Sequence, residues 1–432
     1  MSVGFRVAWE NSWRTSTNES NYDGAWVFIK FRKNGTSEWR HCTLDGTAFS
    51  ASPGSDITVP TDRKGAFLHR ASDGIGDVDY AGNSLTWAYG EDGVLDNDSV
   101  QVKVFAIEMV YIPAGAYYLG SGGSEVNCFR AGATNSAFLV TGPAAIPLGN
   151  TAGSLNLNSG GAGTLLPATY PNGYAAYWIM KYESSQQQFA DFLNHLMLAQ
   201  ATPNYTSSNF TGSTHPAFQP LVADRAYNDL GIAQATAFAD WAALRPFSEL
   251  EFEKACRGVN IQPVMNEYVW GSTTITQLLT LQNDGLVNED VGTPLGANAV
   301  YRNSNGSGPI AHPVRVGLFA RTTGSTRELS GATYYGLMNM GDNLHEFCIY
   351  AGSVSGQAID ASIHGDGYLD AAGATDIGSW ASASAFGVRG GRYYGGATTN
   401  NEMRTSDRTG AGNASVGGGS NQRGIRLART AP

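Results

Sequence analysis

Just past its middle the chain reads Leu244-Arg-Pro-Phe-Ser-Glu-Leu-Glu-Phe-Glu-Lys-Ala-Cys-Arg-Gly258, and the fold turns on this stretch. Ser248 and Glu251 stand in capping-box spacing. The hydroxyl takes the backbone N–H three residues on, and the carboxylate reaches back to the N–H of the cap itself. A short helix therefore runs from Ser248 to Arg257. Glu249, Glu251, Glu253 and Lys254 belong to that capped helix, so they read as structure rather than as acid–base machinery. Beyond Gly258 the chain turns rich in Gly, Asn and Thr.

Two helices precede it. Ser184 to Leu198 places Phe189, Phe192, Leu193 and Leu196 on one face, with Ser184 or Ser185 as N-cap. Ala226 to Leu244 contains the helical run Ala235-Thr-Ala-Phe-Ala-Asp-Trp241. Residues 121 to 170 lack periodicity and read as a surface insertion. The first 107 residues read as short strands: Gly24 to Arg32, Glu38 to Leu44, Ala66 to Arg70, Leu85 to Tyr89 and Val100 to Ala106. Turn pairs such as Asn34-Gly35, Asp45-Gly46, Pro53-Gly54 and Asp92-Gly93 separate them. The expectation is a small antiparallel β-sandwich over residues 1–107, immunoglobulin-like in character, serving as scaffold or attachment.

The whole chain has 432 residues, of which 54 are Gly and only 15% are charged, with a net charge of −10. An acidic balance argues against a nucleic-acid partner held by a basic surface. No apolar run approaches the ~18 residues of a membrane span. Met1-Ser-Val-Gly-Phe-Arg6 has no secretory pattern, so the expected location is inside a cell or on a virion, such as a phage tail, or at a surface reached by another route. Cys42, Cys128, Cys256 and Cys348 form no CxxC pair, which removes a paired-cysteine zinc site. Their even number permits two disulfides; four isolated buried thiols is the expected state. No HExxH, phosphate loop or nucleophile–base arrangement occurs.

Seven segments, in order, resemble the formylglycine-generating enzyme, or sulfatase-modifying factor, family. Met109-Val-Tyr-Ile-Pro-Ala-Gly-Ala-Tyr-Tyr-Leu-Gly120 resembles its opening strand, and Tyr177-Trp-Ile-Met-Lys-Tyr-Glu-Ser184 its "Y-x-I-x-K-Y-E-V-T". Leu244 to Gly258 resembles "R-L-P-T-E-A-E-W-E-K-A-A-R-G", and Tyr268-Val-Trp-Gly271 resembles "Y-P-W-G". Tyr335-Gly-Leu-Met-Asn-Met-Gly-Asp-Asn-Leu-His-Glu-Phe347 resembles "G-L-Y-D-M-x-G-N-V-W-E-W". Val388-Arg-Gly-Gly391 and Gly424-Ile-Arg-Leu427 resemble "V-x-R-G-G-S" and "G-F-R". The resemblance implies an α+β, C-type-lectin-like domain with much irregular structure over residues 108–432.

The resembled oxidases need a cysteine pair after "R-G-G-S" to bind copper. Here those positions fall on Gly395 and Asn400, and no cysteine follows Cys348. Neither residue supplies the soft sulfur that copper(I) prefers, so the expectation is a protein that is not an enzyme. The family's calcium ligands would match Asn339 and Glu346 by side chain, with Asp342 and Leu344 by backbone carbonyl. No cofactor is required. A structural calcium stays open, against the alternative that Asn339 and Glu346 only hydrogen-bond their loop. His345 reads as a structural histidine.

Residues 386 to 432 hold seven Arg, no Lys and two acids, a balance of +5 that leaves −15 on the remainder. From Tyr393 to Gln422 the alphabet is mostly Tyr, Gly, Ala, Thr, Asn and Ser, as in a paratope. Arg389-Gly-Gly-Arg-Tyr393, Arg404-Thr-Ser-Asp-Arg408 and Gly424-Ile-Arg426 resemble the framework of variable proteins made by diversity-generating retroelements. That resemblance implies a variable region over 386–430. Its contact residues would be Tyr393, Tyr394, Gly395, Thr398, Thr399, Asn400, Asn401, Glu402, Thr409, Gly410, Asn413, Ser415, Asn421 and Gln422. One of Tyr393 and Tyr394 must point inward. Arg389, Arg408 and Arg426 read as framework, because guanidinium forks tie irregular backbone together.

The expected function is therefore non-enzymatic binding of a macromolecule, protein or glycan, on a cell surface, without membrane insertion. The alternatives are an oxidase of altered chemistry and a structural decoration protein of a virion.

Overall fold

The computed structural model describes residues 1–301, 310–320, 325–394, 399–412 and 414–432. Its architecture is organised by Tyr22–Lys33, a strand buried on both faces. The odd residues Ala25, Val27, Ile29 and Phe31 pack with Trp9, Leu44, Leu68, Val78 and Trp87. The even residues Trp26 and Phe28 join a second core with Phe67, Met109, Trp178 and Trp241. Successive side chains on a strand point to opposite faces, so one strand serves two cores, and its sequence is a continuous apolar run rather than an alternation.

Ser2–Arg14 shares backbone register with this strand at Arg14 opposite Tyr22, and pairs along its length with Gly74–Trp87. On the other side Val100–Ile112 pairs residue by residue, from Lys33 opposite Val100 to Tyr22 opposite Tyr111. Tyr177–Met180 follows on Val100–Ile112, and Ala428–Thr430 on Tyr177–Met180. One sheet thus joins the first strand to the last. The expected boundary between residues 107 and 108 falls inside Val100–Ile112. The first 107 residues are not set apart, because a shared strand and a shared core cross that point.

Three helices stand where expected, each shorter. Gln186–Asn194 starts from a capping box at Ser185, and Leu198–Asn204 is a separate turn of helix after the break at His195. Ile232–Trp241 ends before Ala243, whose φ of 55° lies outside the helical region. Glu249–Arg257 starts at Ser248 with both hydrogen bonds of its capping box formed.

Residues 121–170 are not a surface insertion. Short ribbons such as Arg130–Ala131 with Leu155–Asn156, and Ile146–Pro147 with Leu165–Leu166, carry Phe129, Leu155, Leu166 and Tyr170 into the main core. These apolar residues are too sparse to show a period, yet each fills a place in the interior. The result is a mixed α/β architecture with few helices and many small sheets. Among the described residues no helix is long and apolar enough to cross a membrane.

Candidate functional site

The C-terminal segment hangs from the capped helix. Glu249 and Glu253 stand one turn apart, so both carboxylates project from the same helix face. Arg408 grips Glu249 with two hydrogen bonds, Nε to Oε2 at 2.7 Å and Nη2 to Oε1 at 3.0 Å. Its Nη1 donates to the carbonyls of Asn127 (2.8 Å) and Leu157, and its guanidinium lies 3.9 Å from the Phe129 ring centroid. Arg389 reaches Glu253 at 3.0 Å and the Thr405 carbonyl at 2.6 Å. Arg257, on the same helix, donates to Ser406 Oγ at 2.9 Å and to Glu267 at 2.6 Å. Burial alone would push Glu249 up. Arg408 and Arg389 more than offset it, and the carboxyl lies below its ordinary value.

The segment's ends are held as firmly. Phe386–Arg389 pairs with His345–Ile349, which on its other side takes Arg423–Gly424 in parallel. Arg426 donates to Glu346 Oε1, the Met180 carbonyl and the Met338 carbonyl, each at 2.7 Å. Arg389, Arg408 and Arg426 are all fully buried, which is the framework role expected of them.

Between these anchors the candidate contact residues divide. Tyr393 is 3% exposed, packs with Val291, Leu318 and Leu344, and receives a bond from Asn228 at 3.4 Å. Tyr394 is 40% exposed. Thr409 and Asn421 are exposed; Asn400, Asn401 and Gln422 are half-buried. Glu402 is a correction: it is buried, 3.2 Å from Arg392 and 3.7 Å from His345. Gly410 is another, because a Cβ there would stand 2.6 Å from the Val388 side chain, leaving no room for variation. Tyr393 is a third, a core residue rather than a contact. Gly395, Thr398 and Asn413 lie outside the described residues, as do the side chains of Thr399 and Ser415.

The family described as Sulfatase-modifying factor enzyme 1-like domain matches residues 97–431. The chain belongs to that family. No curated protein matches the chain. Within the family domain, Asn228 is a site residue that the sequence reading missed. Its Nδ2 donates to the Asn421 carbonyl at 2.8 Å and so pins the rim of the exposed surface. It lies far from that segment in sequence, and no local pattern marks it.

His345 is structural. Its Nδ1 donates to the Gly390 carbonyl at 2.7 Å, and burial, helped by Arg392, pushes its pKa down to about 3. All four cysteines are buried and free of disulfides. Burial raises each thiol above its ordinary value, which disfavours the thiolate that metals and disulfides require.

The four residues matched to calcium do not make a cage for it. Asn339 Oδ1 accepts from Gly317 N (3.0 Å), and its Nδ2 donates to Asp342 Oδ1 (3.2 Å). The Asp342 carbonyl accepts from Leu344 N (2.8 Å), and Asp342 Oδ2 from Val300 N (2.7 Å). Glu346 Oε1 is held by Arg426, and of these side-chain oxygens Glu346 Oε2 alone has no partner among the described residues. Calcium takes roughly six to eight oxygens, and here the cation at Glu346 is a guanidinium.

Proposed function

We propose that this family member is a non-enzymatic binding protein whose segment 386–430 is a recognition surface of the diversity-generating-retroelement type, carried on a C-type-lectin-like domain. The observation that carries this reading is the anchoring of Arg389, Arg408 and Arg426 to Glu249, Glu253 and Glu346, all outside the segment. With the framework fixed from outside, Tyr394, Thr409 and Asn421 need not hold the fold and can be spent on contact. Exposed tyrosine with small polar neighbours suits a macromolecular ligand, protein or glycan, on a cell surface. The replacement of both copper-binding thiols by Gly395 and Asn400 supports the absence of oxidase chemistry. A viral tail or another surface-displayed position fits a protein that meets foreign surfaces.

The test is binding of labelled protein to a panel of intact bacterial cells. Tyr394→Ala, Thr409→Ala and Asn421→Ala should each weaken binding to the recognised cell while leaving the melting temperature unchanged. Undiminished binding in all three overturns the assignment of the surface. Formation of an aldehyde on a cysteine-containing sulfatase peptide, with copper supplied, overturns the non-enzymatic reading. An adenine-biased near-copy of the codons for 389–426 beside a reverse-transcriptase gene is the genomic counterpart, and its absence from a complete locus removes the diversification.

A further inference from the structure

A cavity of about 420 Å3 opens where the first strand and the loop after it meet the family domain, and no described residue of 386–430 lines it. Trp13, Tyr334 and Tyr335 line it. The half-buried Tyr334 ring stands edge to face on the fully buried ring of Tyr335, 5.1 Å apart at 83°, and the pair makes a fixed corner in which Tyr334 is the ring that offers a surface to a ligand. Trp13 can lie against this corner because residue 336 is glycine. A Cβ there would meet the indole at 2.9 Å. Asn21 fixes the arrangement, accepting from Trp13 Nε1 at 3.2 Å and donating to the Tyr335 carbonyl at 3.0 Å. The aromatic walls are therefore built and held before any ligand arrives.

Two charged side chains stand at the rim. Glu19 has no hydrogen bond or ion pair among the described residues, and its charge helps raise both neighbouring phenols, after burial. Arg327 is tied to the Cys256 and Val269 carbonyls through Nη2, at 2.8 and 2.9 Å, and its Nη1 has no hydrogen bond among the described residues. Its guanidinium lies 5.6 Å from the Tyr334 ring centroid. Elsewhere in the molecule acids such as Glu249, Glu251 and Glu253 are paired with arginines; here an acid and an arginine share a cavity without pairing.

This combination selects its occupant. A cation drawn to Glu19 is repelled by Arg327, and an anion the reverse, so the two groups together give a singly charged ligand of either sign no net gain. The rings call for an apolar face, while the carboxylate, the guanidinium and the Tyr334 hydroxyl call for donors and acceptors around an edge. A neutral ring with C–H faces and hydroxyls at its perimeter meets both demands. We propose that this cavity is a second, independent binding site and that it takes a single pyranose unit of a carbohydrate.

Ligand-observed NMR and calorimetry test it with methyl β-D-glucopyranoside, methyl β-D-galactopyranoside, methyl α-D-mannopyranoside and N-acetylglucosamine, with L-phenylalanine as a zwitterionic competitor. At least one sugar should bind saturably with Kd of about 1–10 mM, the range for so small a ligand. Tyr334→Ala and Glu19→Gln should each weaken it at least about tenfold. Tyr394→Ala should leave it unchanged, so the result stands apart from the C-terminal surface. The proposal is overturned if none of the sugars saturates, if both cavity variants bind as the parent does, or if phenylalanine binds there and the sugars do not. Glu19→Gln is on a partly exposed loop, so it stays informative if Tyr334→Ala loses stability.

Discussion

Arg408 and Glu249 form a two-pronged ion pair with both side chains fully buried, and it ties the C-terminal segment to the capped helix. Breaking such a pair leaves an uncompensated charge in the interior, which costs about 3–5 kcal/mol. Arg408→Ala and Glu249→Ala should each cost about that much. The double variant should cost far less than their sum, because the second change removes the orphan left by the first. Denaturant melts of the four proteins decide it; simple additivity would mean the two groups do not act as a pair.

Tyr393 and Tyr394 are neighbours with opposite fates. Tyr393→Ala opens a cavity in the core and should cost about 3 kcal/mol or more. Tyr394→Ala should change stability by no more than about 0.5 kcal/mol. Equal losses in thermal melts would contradict the division between framework and surface.

Thr409→Ala and Asn421→Ala should likewise stay within about 0.5 kcal/mol of the parent. Ile425→Ala, at a fully buried position in the closing framework segment, should cost about 2 kcal/mol or more through the cavity it leaves. A surface set as damaging as Ile425→Ala would make the segment core rather than recognition surface.

Lys30 gives the protein a pH dependence of known sign. Burial pushes its pKa from 10.5 down to about 7, with Asp240 opposing the shift. Between those values the unfolded chain holds a proton that the folded protein has released. Stability therefore rises with pH across that window, and the contribution is absent below about 7. Melting temperatures measured from pH 6 to 10 should climb more steeply for the parent than for Lys30→Met. Lys254, also pushed down to about 7 by burial, keeps part of the slope in both. Parallel curves would show that Lys30 does not titrate in this range.

Calcium should not matter to stability. The Glu346 carboxylate is held by Arg426, and the Asn339 and Asp342 side chains have protein partners. Adding millimolar calcium, or removing divalent ions with a chelator, should leave the melting temperature unchanged. A rise with calcium that Asn339→Ala abolishes would restore the metal site.

The capped helix was legible because its instructions are local: Ser248 and Glu251 are three residues apart, and the hydrogen bonds they form need no distant partner. The family was legible for a similar reason, since seven short motifs keep their order along the chain. That positions 395 and 400 hold Gly and Asn rather than cysteine needed only the residue names. The burial of Glu402 and Tyr393, the place of residues 121–170 in the core and the strand shared across residue 107 were not legible. Each depends on what a residue meets across the fold. Glu402 reads as a surface acid until Arg392 and His345 are beside it, and Phe129 reads as a lone aromatic until Arg408 lies on its face. Local hydrogen-bond patterns are written in the spacing of neighbouring residues. Burial and charge pairing are set by residues tens to hundreds of positions apart, and only the tertiary structure brings those together.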